Sequence, residues 1–285
     1  MHRDRLTILC LAVLVAGCTG APQPEITSTA AGASPTTISV ATFNVEQFTD
    51  DTGKDFAALA TICERYDIIA IQEVKKTGAA VDRLCRILGS TWAYELGDVT
   101  GNAERFAYLY RKDRIEYRGR KGWIAVDGQN PQISRVPFYA YFKSGDFDFI
   151  LVTVHLFYSD DRRRADEIDQ LIAWYRYFIA KSPEKDVIFL GDFNEKRKHP
   201  LFAKFSASGV LKVVTAGIPA TNLSDTEDFD HVVINEGYTR EFGGRVETFM
   251  FDEILFGNDD TKAQKAVSNH RPVIATFRTD LPDDD

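Results

Sequence analysis

VIFLGDFNE, residues 187–195, opens as a buried strand and then changes character. Four apolar residues, Val187 to Leu190, run into Gly191, and Asp192 and Asn194 follow at alternate positions. Side chains alternate across an extended chain, so this carboxylate and this carboxamide leave the strand on one face. The question is what an apolar strand does with two hard oxygen donors at its exit.

Other strand-like runs end in the same kind of group. ISVATFN ends at Asn44, IIAIQE at Glu73 and ILVTVH at His155, while Asn269 and His270 precede the last run, PVIATF. Sites in α/β proteins gather beyond strand ends, where the backbone is rigid and side chains are free. Oxygen donors carrying one or two charges suit Mg²⁺ or Ca²⁺ and not zinc, and no Cys/His spacing of a zinc site occurs. Taken singly, an Asn at a strand end usually caps a turn, and a lone His usually satisfies a neighbour. Taken together, these residues point to a metal held by Asp192 and Asn194 and their counterparts.

The same runs give the fold class. ISVATF, an amphipathic helix near 54–65, DIIAIQ and a second helix near 79–88 make an α/β beginning. WAYELG, RFAYLYR, RIEYRG, VPFYAYF and DFDFILVTVH then read as strands with short connections. Apolar residues at Ala165, Ile168, Ile172, Tyr175 and Ile179 mark one face of a helix within 161–180, with Arg162, Arg163 and Arg164 as its solvated start. DVIFLGDFN, a helix near 200–207, FDHVVIN and HRPVIATF follow. More than ten strands with about four helices exceed one ordinary open sheet. The expected fold is α/β, a four-layer sandwich of two packed mixed β-sheets with helices on the outer faces.

Composition sets the frame: 285 residues, 44% hydrophobic and 27% charged, describe a globular chain able to bury a sizeable core. A net charge of −8 advertises no basic surface for a polyanion, although an enzyme that releases its product needs none. MHRDR followed by the ten-residue run LTILCLAVLV has the form of an export signal too short to span a bilayer. VAGC, ending at Cys18, resembles the lipobox of bacterial lipoproteins; the resemblance implies cleavage before Cys18 and lipid on its sulfur, with a plain secretory signal as the alternative. Without Arg3, Arg5 and Asp4, the 34 basic and 42 acidic residues become 32 and 41, a net charge of −9. Residues 19–37, rich in Pro, Ala, Ser and Thr, read as a flexible tether, residues 38–279 as one domain, and 280–285 as an acidic tail. Cys63 and Cys85 sit late in the first two helices. A disulfide between them would stabilise by about 3 kcal/mol, and two free thiols are the alternative.

In series, these motifs resemble the endonuclease/exonuclease/phosphatase superfamily, and within it the deoxyribonuclease I branch. The resemblance makes Asn44 of TFNVE and Glu73 of IQEVK metal ligands, joined by Asp192 and Asn194 of LGDFN. It places Glu104 of ERFAYLYR beside His155 of VTVHL, and Asp230 of FDHVVI beside His270 of SNHRPV. Arg135 of SRVPF and Lys75 would contact substrate phosphate. The match spans most of residues 38–278. It implies a Mg²⁺-dependent phosphodiester hydrolase, with Mn²⁺ or Ca²⁺ as alternatives, acting on nucleic acid, with DNA favoured over RNA. It also implies a monomer that touches the membrane only through its lipid, in a bacterial cell envelope. His270 would activate water and His155 would protonate the leaving oxygen.

Two departures qualify that expectation. The family's Ser-Asp-His before the final histidine is Ser268-Asn269-His270 here, so a ligand position loses its charge. Three outcomes follow: weaker metal dependence, a shifted substrate such as a small phosphoester, or a nuclease fold retired to binding. The tyrosine that deoxyribonuclease I carries just ahead of its Glu-Arg is also missing; Asn102 stands nearby. His199 and His231 are expected to be surface or satisfied-core histidines.

Overall fold

A computed structural model describes residues 36–283, apart from 52, 127, 130 and 131. The expected signal and Cys18, the tether up to residue 35, and residues 284–285 lie outside the described residues.

Strand β1 (Thr37–Phe48) buries both faces, because helices cover one side and a second sheet covers the other. It pairs in parallel with β2 (Ile68–Lys75), which pairs with β4 (Glu104–Arg111) and, through it, with β3 (Trp92–Leu96). On its other edge β1 pairs antiparallel with β12 (Val273–Arg278), which pairs with β11 (Phe242–Thr248). The second sheet repeats the plan. Its central parallel pair is β7 (Phe147–His155) and β8 (Val187–Asp192). β6 (Phe138–Ser144) and β5 (Glu116–Trp123) flank β7, while β10 (Asp230–Ile234) and β9 (Lys212–Val213) flank β8.

Residue parity builds the layers. On β1 and β2, Ala41, Phe43, Ile69 and Ile71 pack under α1 (Phe56–Cys63), α2 (Ala79–Leu88), α5 (Phe251–Phe256) and α6 (Asp260–Ala266). Their neighbours Ile38, Val40, Ile68 and Ala70 face the other sheet, meeting Phe142, Phe149, Leu151, Ile188 and Leu190. Ile150, Val152, Val187 and Phe189 turn outward under α3 (Asp161–Ile179) and α4 (Ala203–Ala207). Each fully buried side chain of this size stabilises by about 2 kcal/mol, so the three apolar layers hold the stack together. The four-layer sandwich expected from strand count is the observed fold.

Polar pins lock the sheets in register near one end. Tyr108 Oη reaches the carbonyls of Phe138 and Leu151 at 2.7 and 2.9 Å and accepts from the Thr153 amide. Gln72 donates to Thr42 Oγ1 and Thr153 Oγ1 at 3.0 and 2.8 Å. Buried polar groups are tolerated when partnered, and these fix how far one sheet slides on the other.

One open alternative closes, one expectation is corrected and two helices are added. Cys63 and Cys85 are free thiols, both packed against the apolar layer under α1 and α2; burial pushes each thiol upward in pKa, and no bridge links them. The Arg162–Arg164 run is only partly a solvated helix start, because Arg164 is buried in ion pairs. Helices α5 and α6, short and weakly patterned, went unread in the sequence.

Candidate active site

The central parallel pairs of both sheets deliver their C-terminal ends to one place. By parity, Asn44 continues the inter-sheet row Ile38, Val40, Thr42. Asp192 continues Ile188 and Leu190, and His155 continues Leu151 and Thr153. His155 and Asp192 are parallel partners, and Asp192 also pairs with Asp230 at the start of antiparallel β10. Glu104 begins antiparallel β4 on the row of Phe106 and Tyr108. One face of one end of the sandwich therefore gathers five functional side chains from five strands.

Glu73 reaches the site differently. Strict alternation would put it on the helix side, opposite Gln72. Its φ of +60° and the register shift between Ile71 and Val74 turn it inward. A bulge that re-aims a side chain is a known device at active sites, and non-glycine backbone at positive φ costs of order 1 kcal/mol. Gln47 steadies the result, donating from its backbone N and from Nε2 to Glu73 Oε2 at 2.9 and 3.0 Å. Gly191 allows the other close approach: a Cβ there would lie 2.1 Å from the Val154 carbonyl oxygen, at a φ of +147°.

Two imidazole–carboxylate pairs meet at the site. His155 Nδ1 lies 2.9 Å from Glu104 Oε2, and His270 Nδ1 lies 2.8 Å from Asp230 Oδ2. Their Nε2 atoms lie 3.5 and 3.7 Å from the same oxygen, Asp192 Oδ2. Ser268 sets the His270 end: its hydroxyl donates to the Asn44 carbonyl and accepts from the His270 amide. Arg271, fully buried, holds Asp252 and Asp225 and ties this turn to α5.

Charges are unevenly poised. Burial opposes ionisation of Glu104, but hydrogen bonds and charge from His155, Arg135 and Lys75 prevail and lower it to about 2. Burial likewise opposes a charged His270, yet Asp230, Asp192 and Glu73 all face it and raise it to about 10. Burial pushes Asp230 upward, against the His270 charge and hydrogen bond. His231 is a buried neutral group lowered to about 4 by desolvation; it bonds Thr215 and the Glu195 carbonyl and packs on Phe202. His199 caps the turn at Pro200–Phe202 and lies 3.2 Å from Glu195 Oε2, away from the pocket lining.

Arg135 and Lys75 are less free than expected. Arg135 Nε is 3.1 Å from Glu104 Oε2 and Nη2 is 3.2 Å from His155 Nε2, while Lys75 Nζ is 3.0 Å from Glu104 Oε1. Both still line the pocket, so either can turn toward a phosphate that enters.

Among the described residues no three His, Cys, Asp or Glu side chains form a cage by themselves, so carboxamides must contribute. Asn269 Oδ1 is buried with no donor facing it, and Asn269 lines the same pocket as Glu73, Asp192 and Asn194. Asn194 gives its amide N–H to the Leu156 carbonyl, which leaves its oxygen to offer. Asn44 points its nitrogen at Glu73 and Asp192, 3.2 and 2.9 Å away, while its oxygen accepts from Glu46 N. It bridges the two carboxylates here and would have to rotate to act as a ligand. An orphaned carbonyl beside two carboxylates fits a hard cation.

The pocket, about 370 Å³, is also lined by Gln47, Asn102, Tyr158, Asn222 and Phe229, none of which was assigned a role from sequence. Gln47 stands near the end of β1 at a positive φ and the others lie between strands, where strand periodicity gives no signal.

Known proteins match this chain over nearly its whole folded part. The model of the Endonuclease/Exonuclease/phosphatase family matches residues 41–270. A deoxyribonuclease of Thioalkalivibrio sp. (strain K90mix) is 30% identical over 262 residues, covering 84% of this chain and 70% of that protein. Deoxyribonuclease-1-like 2 of Mus musculus is 26% identical, covering 86% and 93%. Among solved structures, a humanized D. rerio TDP2 superposes with a TM-score of 0.61 at 17% identity, covering 86% of this chain and 100% of that one. A mannosyl-6-phosphatase of Bacteroides thetaiotaomicron superposes at 0.60 and 14%, covering 84% and 98%; both structures speak to the fold alone. With the family model spanning both histidines and the sandwich built as above, the chain belongs to the endonuclease/exonuclease/phosphatase family, in its deoxyribonuclease I-like branch.

Proposed function

We propose that this chain is a divalent-metal-dependent phosphodiester hydrolase, an exported nuclease that cleaves DNA by water attack between two catalytic histidines. The observation that carries the proposal is the pair of imidazole–carboxylate couples whose Nε2 atoms converge on one oxygen, Asp192 Oδ2. Family membership supports the reaction class, and the deoxyribonuclease relatives support the substrate.

Hydrolysis needs an attacking water, relief of charge on the phosphate, and a proton for the departing oxygen. His270 is placed to take the proton of water at Nε2, because Nδ1 is committed to Asp230, which steadies the imidazolium that forms. His155 is placed to give a proton from Nε2, with Nδ1 held by Glu104. In the resting site that nitrogen faces the Arg135 N–H and so accepts. A phosphate that draws Arg135 into a forked contact frees Nε2 to be protonated. Glu73, Asp192, Asn194 and Asn269 would hold the cation. When bound, that cation would relieve charge on the phosphoryl oxygens and oppose the carboxylates that raise His270. Anchoring through Cys18 belongs to the same proposal and rests on the VAGC motif.

The test is a substrate panel with the full chain: duplex DNA, single-stranded DNA, RNA and bis-nitrophenyl phosphate, each with Mg²⁺, Mn²⁺ or EDTA. Metal-dependent cleavage of DNA supports the reading. Hydrolysis of the small ester alone shifts the substrate class, and no cleavage of any phosphodiester overturns the enzyme.

A further inference from the structure

A second cavity, about 500 Å³, adjoins the active-site pocket on the His155 side. The two share Asn102, Arg135 and Tyr158, and the second adds Ser134, Phe157 and Arg163. Tyr158 is 68% exposed, the one aromatic among the large apolar side chains left open to solvent within the described residues. Its side chain is open but its backbone is held. Arg164 donates to the carbonyls of Phe157 and Tyr158 at 2.9 and 2.6 Å, and Glu167 accepts from the Phe157 amide. Arg164 is in turn clamped by Glu195, next to the GDFN segment. The ring thus stands on a loop fixed relative to the catalytic strands.

The rest of the wall has the chemistry of a nucleotide site. The Arg163 guanidinium lies 4.0 Å over the Phe157 ring, a pre-positioned cation at the cavity edge. Ser134 Oγ is buried with no partner, so it has a hydrogen bond to give. Gly101 brings the two loops of the wall together: a Cβ there would fall 1.8 Å from the Ser134 carbonyl oxygen. An open aromatic face beside a cation is the platform on which an unpaired base stacks. Bases within a duplex are already stacked and paired, and cannot present a free face to it.

Resting on the hydrolase reading above, we propose that this cavity is the subsite for the leaving nucleoside, with Tyr158 as the platform for its unpaired base. The substrate class it selects is single-stranded polynucleotide, cut in preference to duplex. Arg163 takes the next phosphate along the strand, and Ser134 and Asn102 offer polar contacts to the base edge.

The probes are thymidine dinucleotides, one intact and two that lack the base on one side or the other of the cleaved bond. The products identify the leaving side. Loss of the leaving-side base raises KM about tenfold in the wild-type protein, and Tyr158→Ala raises it about as much on the intact dinucleotide. In Tyr158→Ala the base deletion then has no further effect, and Tyr158→Phe behaves as wild type. Single-stranded oligonucleotides are cut faster than the same sequence annealed. A base-deletion penalty that persists in Tyr158→Ala, or that falls on the other side, overturns the subsite while leaving the hydrolase standing. If the wild type cuts nothing, the hydrolase reading fails. Anisotropy of a labelled single-stranded oligothymidylate in EDTA then decides the subsite: about tenfold weaker binding by Tyr158→Ala supports it, and equal binding overturns it.

Discussion

An Arg135 guanidinium nitrogen lies 3.2 Å from Nε2 of His155, the atom from which a proton would pass to the leaving oxygen. Arg135 also holds Glu104, the carboxylate that orients the same imidazole. One side chain therefore touches both members of the couple, and substrate phosphate competes for it. Arg135→Ala should lower kcat/KM by about 10²–10³, the range seen when a preorganised charge donor is removed. Arg135→Lys keeps the charge but not the fork, and should still lose about tenfold or more. Steady-state kinetics on DNA checks both; wild-type rates in Arg135→Ala would remove Arg135 from the mechanism.

His270 and Asp230 act as a unit in this account. His270→Ala should lower kcat by about 10²–10⁴, and Asp230→Asn should cost nearly as much. The double variant should be little worse than His270→Ala, because residues that work together are not additive. Single-turnover cleavage measures it, and additive losses would mean that Asp230 does something other than hold His270.

Asn269 offers a neutral oxygen where the resemblance to the family leads one to expect a carboxylate. Asn269→Asp should tighten divalent-metal binding by about tenfold, since charge count among ligands tunes affinity. A Mn²⁺ titration of the melting temperature reads this without turnover, because a ligand stabilises the state it binds. In metal-free buffer the variant should melt lower than wild type, with a further carboxylate placed near Asp192 and Glu73. Unchanged Mn²⁺ dependence would exclude Asn269 from the metal site.

Acid should weaken the protein partly through Glu104. Its pKa falls from 4.5 to about 2 on folding, so its contribution is present above pH 4.5 and is lost as pH falls toward 2. That contribution is about 3 kcal/mol. Urea unfolding at pH 6 and pH 2.5 should show a smaller pH dependence in Glu104→Gln than in wild type, by roughly this amount. Equal slopes would place the stabilisation elsewhere. Glu104→Gln should also be the less stable protein at pH 6, because Lys75 and Arg135 lose their shared counter-charge.

Much of the site was legible because it obeys strand parity. Asn44, His155 and Asp192 end rows whose buried partners are two residues apart, and that alternation is visible in the letters alone. The pairing of Glu104 with His155 and of Asp230 with His270 came from the family resemblance, and the structure brings both pairs within hydrogen-bond distance. Glu73 was named at its strand end, but its route into the site was not legible. Glu73 reaches the site through a positive φ and a bulge, which no apolar pattern announces. Gln47 stands at positive φ near the end of β1 and Tyr158 on a loop, and only a family match or coordinates can place them. Arg164 reads as a surface charge in the run Arg162–Arg164, yet its partner Glu195 is distant in sequence, and such pairs leave no local trace. The choice between a disulfide and two free thiols stayed open for a related reason: spacing alone does not set how two thiols on adjacent helices face each other, and the structure shows them free.

The most direct test is the rate of DNA cleavage by the full chain with Mn²⁺, measured for wild type, His155→Ala, His270→Ala and the wild type in EDTA. The account predicts strand cleavage by the wild type, a loss of about 10²–10⁴ in each variant, and none in EDTA. Cleavage that survives EDTA, or that is untouched by both histidine substitutions, would contradict it.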